Sequence, residues 1–127
     1  MADDQTTLQN LKERMAVFVR ERDWEQFHNP KNLSMSIAVE AGELMEHFQW
    51  QTVEQSTQLD ADTLQEVGEE LADIVLYSLS MANYLKLDLT DTVLAKLDKN
   101  NGKYPKEQVR GRAHKYTWYQ RKDDGCE

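Results

Sequence analysis

The chain has 127 residues, a formal net charge of −8 and a hydrophobic fraction of 39%. This length suits one ordinary domain, and no stretch approaches the ~18 consecutive apolar residues that a membrane span requires. The acidic balance argues against general binding to nucleic acid, because affinity for its phosphates comes from Lys and Arg. Cys126 is the single cysteine and the N-terminus lacks the pattern of a signal peptide, so we expect a cytoplasmic protein without a membrane or nucleic-acid partner.

Helices are the predicted elements throughout, because the chain has 5 Gly, 2 Pro and no alternating run of β-branched residues. The first helix is predicted from about Thr7 to Asp23, and Asn29-Pro30 marks the break after it. Apolar residues at three- and four-residue spacing predict a second helix over residues 31–50. A polar connector is expected over residues 51–60.

The third helix is predicted over residues 62–85, with its N-cap at Asp60 or Asp62. Residues 74–82 are apolar almost all round the helix, which predicts burial on several sides. In so small a domain, a second subunit is the expected cover for this surface.

The fourth helix is predicted to begin near Thr90 and to end at Asn100-Asn101-Gly102, where glycine would supply the left-handed closing residue. From Tyr104 onward the chain is basic and aromatic without a clear period. We therefore expect an all-α fold with a helical domain over residues 1–104. Residues 105–127 are expected to form a basic C-terminal tail, in the same domain or partly ordered.

Two acidic motifs stand out, Glu40-x-x-Glu43 on the second helix and Glu70-x-x-Asp73 on the third. A separation of three residues places both carboxylates of a motif on one helix face, with ~5–6 Å between their Cβ atoms. Acidic pairs of this kind are usually solvated charges. Here Glu40 occupies an expected apolar position between Ile37 and Leu44, where neighbouring carboxylates are costly to bury unless a cation compensates them.

The chemistry of these oxygen ligands favours Mg²⁺, Mn²⁺ or Ca²⁺ over zinc or copper. A di-iron carboxylate bundle would require Glu-x-x-His motifs, whereas His47 follows Glu43 by four residues. The sequence also lacks an HExxH motif and a GxxxxGK[ST] loop. Any phosphate would therefore be bound through a metal and side chains.

These residues belong to a longer pattern that resembles the MazG-like nucleotide pyrophosphohydrolases, above all their dCTP pyrophosphatase branch. The similarity covers about residues 8–117. It is carried by residues 21–33, both acidic motifs, Phe48-Gln49-Trp50, Lys103-Tyr104-Pro105 and Lys115-Tyr116-Thr117.

The resemblance implies a four-helix bundle completed by oligomerisation as a dimer of dimers, that is, a homotetramer. It implies hydrolysis between the α- and β-phosphates of a nucleoside triphosphate, which gives the monophosphate and pyrophosphate. By position, Glu40, Glu43, Glu70 and Asp73 would be the ligands of Mg²⁺, with Mn²⁺ as a substitute. Glu40 and Glu43 are the candidate catalytic carboxylates, and we favour Glu43 as the general base because it flanks the apolar stripe.

The resemblance also implies two sets of substrate-binding residues. Aromatic faces can stack on a base, although a single Trp more often packs in a core and His28 is as readily a surface residue. Cations on the fourth helix would offset triphosphate charge, although they also interact favourably with a helix C-terminus. The expected base contacts are Trp24, His28, Trp50 and Tyr77, and the expected phosphate contacts are Lys96, Asn100, Lys103 and Tyr104.

The expected activity is removal of dCTP or a modified dCTP from the nucleotide pool. From the resemblance we expect vertebrate dCTP-specific relatives to carry a histidine in the first helix where this chain has Met15, which leaves base selectivity open. One alternative is the same chemistry on another nucleotide, such as dUTP or an oxidised purine. The other is a non-catalytic helical dimerisation module, for which the apolar third helix is the evidence.

Overall fold

The computed structural model describes residues 1–115, 117–118 and 120. Within these residues the fold is helical throughout and no strand occurs, which confirms the all-α prediction. A short 3₁₀ turn, Ala2–Asp4, precedes the α-helices. They are α1 (Leu8–Glu21), α2 (Pro30–Glu46), α3 (Val53–Ser56), α4 (Ala61–Leu85), α5 (Leu89–Lys103) and α6 (Lys106–Val109).

Side-chain caps explain where the long helices begin. Thr7, Asn29, Asp60 and Asp88 each accept a hydrogen bond from the backbone N–H three residues later, which satisfies a donor that the first turn leaves free. Asp60, rather than Asp62, is therefore the N-cap of α4. Pro30 occupies the first position of α2, where its fixed φ suits a helix and its missing N–H costs nothing.

Helix ends were predicted less well than helix starts. The second helix stops at Glu46, not at Trp50, and residues 47–50 continue as turns. The connector contains the short helix α3, and α6 lies in the region predicted to lack period. Residues 116, 119 and 121–127 of the predicted tail, Cys126 among them, lie outside the described residues.

Gly102 does not close the fourth helix, so that prediction was wrong. Helix α5 continues through Gly102 to Lys103, and the described glycine with positive φ is Gly111 instead. Left-handed residues do occur beyond α1 and α4, at Asp23 (φ 53°) and Lys86 (φ 55°). Glycine's permissiveness was therefore not what ended these helices.

Contacts divide the chain into two compact units, Met1–Leu87 and Asp88–Glu127. In the first unit α4 packs against α2 and α1, and the core contains Met15, Val19, Leu33, Leu79 and Ala82. Two long-range hydrogen bonds tie α1 to the end of α4: Asn83 Nδ2 donates to the Lys12 carbonyl at 2.9 Å, and Lys12 Nζ donates to the Leu87 carbonyl at 2.7 Å.

Part of the apolar surface of α4 stays uncovered in the single chain. Leu79 is 1% exposed, but Leu71 is 53% and Val75 is 42% exposed. Burial on several sides is therefore not complete within the first unit. Among the described helices, none combines the length and apolar character that crossing a bilayer would require.

Candidate active site

Three of the four predicted metal ligands meet between α2 and α4. The carboxylate oxygens that Glu40, Glu43 and Glu70 can offer all lie within 4.8 Å of one another. Glu40 and Glu70 are half-buried, whereas Glu43 is exposed. Asp73 lies one turn beyond Glu70 and is not part of this close group, although its charge acts on Glu40. The packing of α2 on α4 thus turns two separate motifs into one carboxylate cluster, made of Glu40, Glu43 and Glu70.

Glu40 is the most perturbed member of the carboxylate cluster. Burial is the main cause that raises the pKa of Glu40 from 4.5 to about 7, and the neighbouring carboxyls of Glu70, Glu43 and Asp73 add to it. Its Oε2 atom is buried and has no hydrogen-bond partner in the described part of the chain. Ionised neighbours are acceptors without a proton to give, so they cannot satisfy this oxygen, whereas a proton on Glu40 or a cation would.

The cluster fits a hard divalent cation on these grounds. Its donors are all carboxylate oxygens, the set that Mg²⁺ and Mn²⁺ prefer. A cation would satisfy the buried oxygen of Glu40 and offset the repulsion among like charges within 4.8 Å. An exposed carboxylate, Glu43, leaves one side of the cluster open to solvent.

His47 borders the cluster and was not predicted as a functional residue. Its Nε2 atom lies 3.8 Å from Glu70 Oε1, and its Nδ1 atom lies 3.8 Å from Glu66 Oε2. The sequence carried a signal for it, since His47 follows Glu43 by four residues and so shares its helix face. Only the packing of α2 against α4 reveals the contact with Glu70.

A cleft of about 520 Å³ brings together several predicted base contacts with Asp73. Trp24 and His28 enter it from the loop after α1, while Asp73 and Tyr77 enter it from α4. Met15 also lines this cleft, so the position where the resemblance led us to expect a histidine falls on the cleft wall. The cleft therefore joins aromatic faces to an acidic residue next to the cluster.

The aromatic wall is held by ring contacts. Trp24 stacks on His28 with ring centroids 6.3 Å apart, and Phe18 meets Trp24 edge-on at 5.8 Å. His28 in turn lies 6.4 Å from Tyr77 between ring centroids. Burial, followed by the charges of Glu40, Asp73 and Glu43, raises the pKa of Tyr77 above its ordinary value. Its phenol therefore stays a hydrogen-bond donor at neutral pH.

The other predicted substrate contacts are not among the residues lining this cleft. Trp50 is 88% exposed in the turns after α2. Lys96, Asn100 and Lys103 lie on α5 in the second compact unit, and Tyr104 caps that helix by donating its N–H to the Asn100 carbonyl at 2.8 Å. Their roles toward a base or phosphates stay predictions.

Comparison with known proteins identifies the class to which this arrangement belongs. Residues 35–117 match the MazG-like family. A solved structure, a pyrophosphatase from Archaeoglobus fulgidus, superimposes with a TM-score of 0.69 at 33% identity, over 77% of this chain and 92% of that one. The chain therefore belongs to the MazG-like family.

Within that family, several curated relatives are named dCTP pyrophosphatase 1. The bovine protein is 41% identical over 116 residues, and the match covers 87% of this chain and 67% of the relative. The human protein is 38% identical over 113 residues, with 87% of this chain and 66% of the relative covered. This chain thus spans about two thirds of the length of those relatives.

Proposed function

We propose that this protein hydrolyses dCTP, or a modified dCTP, to the monophosphate and pyrophosphate with the help of Mg²⁺. Its class is nucleoside triphosphate pyrophosphohydrolase, since it belongs to the MazG-like family and resembles dCTP pyrophosphatases at about 40% identity. The observation that carries the proposal is the carboxylate cluster, whose three ligand oxygens lie within 4.8 Å. The adjoining cleft, lined by Trp24, His28, Tyr77 and Asp73, supports a nucleotide substrate.

Metal binding is assigned to Glu40, Glu43 and Glu70, with Asp73 as the fourth ligand. A bound Mg²⁺ supplies electrostatic stabilisation of the triphosphate and lowers the pKa of water. Mn²⁺ has similar ligand preferences and is proposed as a substitute.

Glu43 is the carboxylate that we propose as the general base. It is exposed, so a water molecule can reach it from solvent. Glu40, by contrast, has a pKa raised to about 7 and a buried oxygen that a proton or cation must satisfy. Glu43 accepts a proton from the attacking water, and this requires that Glu43 enter the reaction ionised.

We propose that Trp24, His28 and Tyr77 bind the base, and their shared cleft supports this proposal. Stacking on an aromatic face contributes about 1–3 kcal/mol per base. Because every base has a π-face, stacking explains affinity for a nucleotide better than selectivity among bases. Met15 adds a flexible apolar surface to the same cleft, so dCTP is the proposed substrate rather than an exclusive one. Trp50 and the residues Lys96, Asn100, Lys103 and Tyr104 are proposed as further contacts on the strength of the sequence resemblance.

Assembly into a homotetramer is part of the proposal. Leu71 and Val75 leave an apolar surface on α4 that is about half exposed in the single chain, and such surfaces commonly mark contacts between subunits. Analytical ultracentrifugation tests this assembly, and a monomer at micromolar concentration would contradict it. The cytoplasmic location stays a prediction from the sequence.

The decisive experiment measures pyrophosphate release from a panel of nucleoside triphosphates with Mg²⁺ and with EDTA. We expect Mg²⁺-dependent release led by dCTP or its modified forms, and a loss of at least about 100-fold in kcat for Glu43→Gln. The matched control is Glu46→Gln, which removes an exposed carboxylate one turn further along α2. Release led by dUTP or an oxidised purine would refute the dCTP assignment, and no release from any triphosphate would refute the proposed function.

A further inference from the structure

His47 joins two carboxylates of α4 from the end of α2. It is the C-terminal cap residue of that helix and is 20% exposed at its side chain. Its nitrogens lie 3.8 Å from Glu66 Oε2 and 3.8 Å from Glu70 Oε1, and Glu66 and Glu70 are one turn apart on α4. The imidazole therefore bridges one member of the carboxylate cluster to a carboxylate outside it.

We propose that His47 is a positioning residue that holds the Glu70 carboxylate in the cluster. Glu70 faces the carboxylates of Glu40 and Glu43, whose ligand oxygens lie within 4.8 Å. Like charges at this distance repel, and a glutamate side chain has enough rotamer freedom to turn away. An N–H beside Glu70 offsets this tendency, and the proton on Nε2 alone is sufficient, which both the imidazolium and one neutral tautomer carry.

The two carboxylates that His47 contacts differ in exposure, so the two contacts are not equivalent. The Glu66 side chain is 63% exposed, whereas the Glu70 side chain is 22% exposed. Solvent can satisfy Glu66, and Nδ1 has no proton to donate to it when Nε2 alone carries the proton, so the contact with Glu66 is not needed for the effect on Glu70. The contact of Nε2 with Glu70 is the one that acts on the cluster.

The expected consequence is tighter binding of a divalent cation, and this inference rests on the metal site of the proposed function. Groups that orient metal ligands typically contribute a factor of 10 to 100 in metal affinity when they are well placed. Because the 3.8 Å contact with Glu70 is longer than a hydrogen bond, its effect is electrostatic and we expect it near the lower limit. Removal of the Nε2 donor should raise the Kd for the metal about tenfold.

Three variants separate the two sides of the bridge. His47→Gln keeps an amide donor near the position of Nε2, His47→Asn keeps one near Nδ1, and His47→Leu keeps neither. Mn²⁺ is titrated into the nucleotide-free full chain, and the free ion is measured by electron paramagnetic resonance. This gives the Kd of Mn²⁺ for each variant. We expect His47→Gln to stay within about threefold of wild type and the other two to weaken binding about tenfold.

The inference is overturned if His47→Asn and His47→Gln bind Mn²⁺ equally well, since a packing role would not distinguish the two donors. If the two variants bind Mn²⁺ equally well and Mg²⁺-dependent hydrolysis is intact, the positioning role is refuted and the proposed function still stands. If the His47 variants bind Mn²⁺ with the different affinities expected but no triphosphate releases pyrophosphate, the positioning role is supported and the proposed function is refuted.

Discussion

Glu40→Gln should stabilise the metal-free protein above neutral pH, against the usual effect of altering a site residue. The pKa of Glu40 is raised from 4.5 to about 7. Between pH 4.5 and pH 7 the folded chain holds a proton on Glu40 that the unfolded chain has lost. The contribution of Glu40 to stability is therefore fully present below pH 4.5 and is lost as the pH rises through 7. Glutamine resembles the protonated acid, and its amide can donate to Glu43 or Glu70 at every pH.

The magnitude follows from the size of that shift. A rise from 4.5 to about 7 corresponds to about 3 kcal/mol if it is converted in full. Solvent screens a half-buried carboxyl, so we expect about 1–2 kcal/mol at pH 8. In a domain of this size that is an increase of about 3–8 °C in Tm.

Thermal unfolding in EDTA at a fixed protein concentration, from pH 5 to pH 8, measures this difference. The advantage of Glu40→Gln should be small near pH 5, grow as the pH rises to about 7 and level off above it, while Glu46→Gln should show no such trend. Saturating Mg²⁺ should reverse the order, because wild type keeps a ligand that the variant has lost. A Glu40→Gln protein that is no more stable than wild type at pH 8 in EDTA would refute the electrostatic reasoning.

Three further predictions test the fold and the cleft. Gly102→Ala should raise the free energy of unfolding, measured in urea, by about 0.5–1 kcal/mol, because Gly102 is helical and an added Cβ meets nothing within 4 Å. A loss of stability would instead indicate that Gly102 adopts the left-handed conformation. Leu79→Ala should cost about 2–5 kcal/mol in the same assay, since Leu79 is 1% exposed, and a cost below about 1 kcal/mol would contradict its place in the core. Trp24→Ala should raise KM about 10-fold or more with little change in kcat, because the ring lines the cleft rather than the carboxylate cluster; an unchanged KM in steady-state kinetics would remove Trp24 from the base site.

Hydrophobic spacing and capping residues were sufficient to predict the four long helices. The same reasoning found Glu40 where a buried apolar residue was expected, and its Oε2 atom is indeed buried. Helix starts were accurate since Thr7 and Asp60 cap through local hydrogen bonds. Such bonds depend on residues three apart, which a sequence displays directly.

Features that depend on contacts between distant residues were not predictable in this way. His47 reaches Glu66 and Glu70 across two helices, and its contact depends on how α2 packs against α4. The predicted end of α5 was wrong because Gly102 permits a left-handed turn without requiring one. The predicted division at residues 104 and 105, into a catalytic domain and a tail, stays a prediction.

Asp23 ends α1 in a left-handed conformation and sends the chain into the loop that carries Trp24 and His28. Aspartate tolerates this backbone better than most residues, and asparagine or glycine would tolerate it as well. A β-branched residue at position 23 would be strained there and would displace the loop, although it would touch no nucleotide. In a library of variants, we therefore expect substitutions at position 23 to alter the width of the cleft from outside it, while every lining residue is retained.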